Sequence, residues 1–132
     1  MTLDQISDGL KQFIQKSFDS IEAIEIVLLL RNAPGKFLSA EELNAILRSN
    51  IQSIGERLKT LVVKGIVQTR VESEKTLYAY LADDLQKTKH MDELAENYIV
   101  RRFAIINLIY SGKLQELHKF ADVFDLRGKK GK

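Results

Sequence analysis

The 132-residue chain has no cysteine, no tryptophan, a single proline and a formal net charge of only +2. Without cysteine it can build no disulfide scaffold, no thiolate-ligated zinc site and no thiol nucleophile. Its longest apolar run, Ile26 to Leu30, is five residues, against the roughly 20 a helix needs to cross a bilayer. Met1-Thr2-Leu3-Asp4-Gln5 does not follow the basic-then-apolar order of a secretory signal, so a cytoplasmic location is expected. A Gly-rich phosphate loop, a nucleophile elbow and a dinucleotide fingerprint are missing as well. The histidines, His90 and His118, lie 28 residues apart, and neither belongs to a His-x-x-x-His or Glu-x-x-His pair. No metal, no cofactor and no enzymatic activity are expected. The paired acids Glu41-Glu42 and Asp83-Asp84 fall at a helix first turn and a strand-to-helix junction, where carboxylates favour the helix dipole.

What is present is a hydrophobic fraction of 45%, normal for a compact soluble domain and too high for a disordered chain. Leu3, Ile6, Leu10, Phe13 and Ile14 recur at three- and four-residue steps, which predicts a helix over residues 3–18 with Thr2 and Gln5 as its capping box. Asp19 and Glu22 offer a similar reciprocal cap to a second helix, Ser20 to Asn32. Its second half is apolar nearly all round and belongs at the centre of the core. Ala33-Pro34-Gly35-Lys36 ends it.

After the short extended pair Phe37-Leu38, Ser39-Ala40-Glu41-Glu42 is the clearest capping box, opening a helix that turns Leu43, Ile46 and Leu47 inward. Asn50 caps a further helix, residues 51–64, with Ile54, Leu58, Leu61 and Val62 on its buried side, and Gly65 stops it. Two period-two segments, Ile66 to Val71 and Thr76 to Leu81, flank the polar link Glu72-Ser73-Glu74-Lys75 and predict a β-hairpin. Tyr78 and Tyr80 share a face of it as packing residues. From Asp84 a long helix is expected to run to about Tyr110. Ser111-Gly112 interrupts it, and a short helix follows with Leu114, Leu117, Phe120, Ala121 and Phe124 on one side. Residues 127–132 read as an unstructured basic tail.

The order from Ser20 to Leu81 (helix, short strand, helix, tight turn, helix, hairpin) resembles a winged helix-turn-helix. Ser39, Glu42, Leu43, Leu47, Asn50, Ile54, Leu58, Leu61 and Gly65-Ile66-Val67 carry the resemblance. The expected fold is therefore mainly α with a small β-hairpin, a winged helix-turn-helix flanked by N- and C-terminal helices. Its expected divisions are an N-terminal helix (1–19), the motif domain (20–82), C-terminal helices serving dimerisation (83–126) and the tail (127–132).

In that superfamily the second motif helix enters the major groove of DNA. The resemblance implies a DNA face of Ile51, Gln52, Ser53, Gly55, Glu56 and Lys59, with Gln52 suited to an adenine edge and Ser53 to a base or phosphate. Arg48, Arg57, Lys59 and Lys64, with Arg70 and Lys75 on the wing, suit backbone phosphates. With helices on both sides of the motif, the layout is similar to the MarR-like dimeric transcriptional regulators. The chain lacks that family's Asp-x-Arg wing and the Leu-Thr-x-x-Gly stretch after it.

The stripe Ile99, Phe103, Ile106 and Tyr110 lies beside a second one, Val100, Ala104 and Leu108, and such a helix needs cover on more than one face. A homodimer joined through Leu10, Phe13, Ile99, Phe103, Ile106, Tyr110, Leu117 and Phe120 is the expected solution. The alternative is a monomer in which the terminal helices wrap the long one. The resulting expectation is a homodimeric, sequence-specific transcriptional regulator of double-stranded DNA. A second reading is a winged-helix module for a regulatory protein partner that does not bind DNA. Residues 20–82 hold eight basic and seven acidic side chains, with Glu56, Glu72 and Glu74 on the DNA side, while the last six residues alone hold four positive charges.

Overall fold

The structure, a computed structural model, describes residues 6–111. Thr2, Leu3, Gln5, His118, the stretch from Leu114 to Phe124 with Leu117 and Phe120, and the basic tail lie outside the described residues.

Helix α1 spans Asp8–Ser17 and begins at Ser7, whose hydroxyl accepts from the Leu10 amide at 3.1 Å. That start is five residues later than the apolar spacing alone suggests. Helix α2, Ile21–Arg31, is capped by Ser20, which accepts from the Ala23 amide at 3.0 Å. The expected Asp19 cap is therefore corrected to Ser20. This change of cap leaves the Glu22 carboxylate available for another task. Ile24, Ile26, Val27 and Leu30 of α2 are fully buried, as its all-round apolar character requires.

Strand β1, Leu38–Ser39, leads into α3, Ala40–Leu47, through a complete capping box: the Ser39 hydroxyl accepts from the Glu42 amide while the Glu42 carboxylate accepts from the Ser39 amide. Ile46 is 56% exposed, so of the three residues expected inward on α3 Leu43 is buried and Leu47 packs in part against the core. Arg48 then turns the chain in the left-handed region at φ 53°, and the Asn44 side chain accepts from the Ser49 amide at 3.1 Å. Asn50 accepts from the Gln52 and Ser53 amides and opens α4, Ile51–Val63. Ile54, Leu58 and Leu61 are its buried side.

Gly65, at φ 75°, ends α4 in a Schellman arrangement, with Ile66 N–H bonding to Leu61 O and Gly65 N–H to Val62 O. Because Ile66 is C-terminal to that left-handed residue, its side chain folds back into the core beside Leu61. Strands β2, Val67–Glu72, and β3, Lys75–Tyr80, pair antiparallel through the two-residue turn Ser73-Glu74. Both turn residues have positive φ, 50° and 65°, as a right-twisting two-residue hairpin demands. β1 adds to the other edge of β3, with Leu38 opposite Tyr78, giving a three-stranded sheet in the order β1-β3-β2.

Helix α5, Leu85–Val100, is capped by Asp84. The chain then leaves helical geometry at Arg101 (φ −129°, ψ 39°), and α6 covers residues 102–111. The single long helix read from the sequence is thus two. One continuous core takes residues from α1, α2, α3, α4, the sheet, α5 and α6, including Leu10, Ile14, Met91, Leu94, Ile105 and Ile109. The described chain is a mainly α fold whose β-hairpin and flanking helices form a winged-helix-type layout.

Candidate nucleic-acid interface

Helix α4 stands on the core through Ile54, Leu58 and Leu61, so its opposite side is exposed. Ile51, Gln52, Glu56 and Lys59 lie on that outer side, and Arg48 is exposed in the turn before it. At Gly55 a Cβ would meet nothing within 4 Å, so the backbone there is open to a molecule approaching from outside. Two of the residues read as a DNA face are turned elsewhere. Ser53 and Arg57, four residues apart and so on one side of the helix, point at α2.

Their target is Glu22, in the first turn of α2. Its carboxylate accepts hydrogen bonds from the hydroxyls of Ser49 and Ser53 and from Arg57 Nε at 3.3 Å. Arg57 also lies 3.7 Å from Asp19. Burial pushes the Glu22 carboxyl up, but the bonds from Ser49, Ser53 and Arg57 together outweigh it and hold the group below its ordinary range. Glu22 is a site residue that the sequence reading assigned to a helix cap. The signal available was Ser49, Ser53 and Arg57 at four-residue steps, which needed an acid on a facing helix to acquire meaning.

Other cations of the expected interface are also engaged. Lys64 Nζ donates to the Lys16 carbonyl at 3.0 Å, tying α4 to α1. Arg70 on β2 pairs with Glu72 at 2.6 Å and stacks its guanidinium 4.1 Å from the Phe37 ring centre. Arg48, Lys59 and Lys75 make no ion pair among the described residues. Lys75 sits at the hairpin tip opposite Glu72, with Glu74 beside it in the turn.

The residues expected at a dimer contact divide similarly. Leu10 is fully enclosed within the protomer. Phe13 is half-buried, stacked on His90 with ring centres 5.2 Å apart and edge-on to Phe18 at 6.0 Å. Ile106 is half-buried on α6, whereas Ile99, Phe103 and Tyr110 are 84%, 83% and 61% exposed. Beside the bend at Arg101, the Tyr98 hydroxyl donates to Glu25 at 2.9 Å, with Arg102 3.5 Å from the same oxygen. Burial, then the hydrogen bond to and negative charge of Glu25, push the Tyr98 hydroxyl up to about 12.

A cleft of about 670 Å³ opens between α1 and the start of α5. Two of its lysines are held by main-chain carbonyls, Lys64 as above and Lys87 by Gly65 O at 2.6 Å. Among the described residues, no three acidic or histidine side chains gather to hold a metal, and no helix is long and apolar enough to cross a membrane. The fold is a winged-helix-type layout in which α4 turns a largely polar side outward. No protein-family model matches the chain, and no curated protein or solved structure matches it significantly.

Proposed function

We propose that this chain is a sequence-specific, homodimeric regulator of double-stranded DNA that lays the outer side of α4 in the major groove. The observation that carries this reading is the exposed row Arg48, Gln52 and Lys59, free of ion pairs among the described residues, on a helix pinned rigidly behind by Ile54, Leu58 and Leu61. Gln52 offers the donor–acceptor pair that matches adenine N6 and N7, and the cations offer phosphate contacts. On this reading Ile99, Val100, Phe103 and Tyr110, exposed among the described residues, form the dimer contact, and the two copies of α4 enter successive major grooves, one helical turn of DNA (~34 Å) apart.

A second reading, a protein-interaction module, draws on Ile46 and Ile51, which flank the α3–α4 turn and are exposed beside Glu56. Selection from random duplexes by the full chain, followed by anisotropy titration at low salt, decides between them. An enriched motif with twofold symmetry supports the DNA reading. Undetectable binding at low salt overturns it and leaves the interaction module.

A further inference from the structure

The donors around Glu22 form a set that its carboxylate does not need in order to cap α2, since Ser20 already does so. Two hydroxyls, Ser49 and Ser53, and the Arg57 guanidinium converge on it, beside the first turn of α4. This is the donor chemistry that holds a tetrahedral oxyanion: one fixed positive fork and short neutral hydroxyls. The cluster lies on the flank of the helix proposed to enter the groove, between that helix and the first turn of α2. Asp19, 3.7 Å from Arg57 and itself exposed, is the second acid facing the guanidinium.

We infer that Glu22 is an internal stand-in for a backbone phosphate, closing an anion cradle made by Ser49, Ser53 and Arg57. It thereby takes these groups out of sequence-independent DNA binding. This inference rests on the DNA reading for its biological use, but the cradle itself does not. Non-specific affinity comes almost entirely from phosphate contacts. A carboxylate fixed in the cradle lowers that background and leaves base-edge contacts from the outer side of α4 to set the choice of site. Glu22 is thus a specificity-determining residue that touches no base.

The test uses the full chain as wild type, Glu22→Ala and Glu22→Ala/Arg57→Ala, each checked for folding by circular dichroism. Thermal melts are run with inorganic phosphate replacing chloride at constant ionic strength. The Glu22→Ala protein is expected to gain a few degrees in Tm (about 5 °C at tenfold excess over Kd), while wild type and the double variant gain none. If Glu22→Ala does not fold, Glu22→Gln keeps the shape, removes the charge and is judged by the same criterion with a smaller shift. A folded variant that phosphate stabilises no more than wild type overturns the cradle, as does a shift that survives loss of Arg57. In a second arm, random duplex should bind the Glu22→Ala protein more tightly, with a log K against log salt slope steeper by about 0.9 per protomer. A phosphate shift with no duplex binding by any form supports the cradle and removes the DNA reading, so the two failures are distinguishable.

Discussion

A salt titration of duplex binding by the full chain reads how many of its cations meet phosphates. Each phosphate neutralised on B-DNA contributes a slope of about −0.9 to log K against log salt. Of the six cations that the wing and α4 bring to this side, Arg57, Lys64 and Arg70 are held by Glu22 and Asp19, by the Lys16 carbonyl and by Glu72. Arg48, Lys59 and Lys75 remain without an ion pair among the described residues, three per protomer and six in the proposed dimer. The expected slope is therefore about −5, so affinity falls roughly 2,000-fold from 50 to 200 mM salt. If all twelve cations met phosphates the slope would be about −11 and the loss above a millionfold. Fluorescence anisotropy on a selected site, with salt varied, separates these values easily. Lys59→Ala should flatten the slope by about 2 per dimer, whereas Arg57→Ala should leave it unchanged while lowering stability through the orphaned Glu22. A wild-type slope near −11, or one that falls on replacing Arg57, refutes the assignment of bound and free cations.

Three further outcomes follow from the packing. Phe103→Asp should convert the proposed dimer to monomer in sedimentation equilibrium with helicity retained, because Phe103 is 83% exposed and outside the core formed by the described residues. Losing an aromatic anchor worth about 2 kcal/mol twice over in a twofold interface raises Kd on the order of 1,000-fold, and a wild type that sediments as a monomer rules the dimer out. Replacing Ser73-Glu74 by Asn-Gly should add on the order of 1 kcal/mol in a urea melt, since both residues now hold positive φ; an unchanged midpoint would refute the strain account. For Tyr98 the folded pKa is raised above 10 to about 12, so its contribution to stability is complete below pH 10 and lost as pH rises through 12. Tyr98→Phe should abolish that part of the alkaline stability loss, measured by denaturant melts between pH 9 and 12 (roughly the titration window).

The fold was legible because its punctuation is local. Ser39 and Glu42 cap α3 from three residues apart, Asn50 caps α4 within its own turn, and the chain reverses at Gly65 with Gly65 N–H bonded to Val62 O and Ile66 N–H to Leu61 O. Each of these acts within five residues, where spacing alone carries the information. The hairpin followed for the same reason. The bend at Arg101 has no such marker: Tyr98 to Phe103 contains neither glycine nor proline. The contact beside it reaches Glu25, 73 residues from Tyr98, and the i→i−4 bonds from Arg101 to Asn97 and from Ile105 to Arg101 persist, so helical spacing runs straight through it. Ile46 shares a helical spacing with Leu43 that points it inward, yet α3 is short and only Leu43 is wholly buried on it.

The site was harder to read because charge can be counted in a sequence while its employment cannot. Glu22 reaches Ser49, Ser53 and Arg57 across 27 to 35 residues. A cation with such a partner stabilises the protomer and drops out of any long-range field, so the formal +2 overstates what α4 presents to a polyanion. Yet the same pairing fixes α4 against α2 and keeps its outer side in one orientation. On the proposed DNA reading, a helix with few free cations must discriminate through the geometry of Gln52 and its neighbours, and that requires a rigid mount. The acid that weakens the electrostatic attraction is thus the one that secures the geometry on which a base-reading mechanism depends.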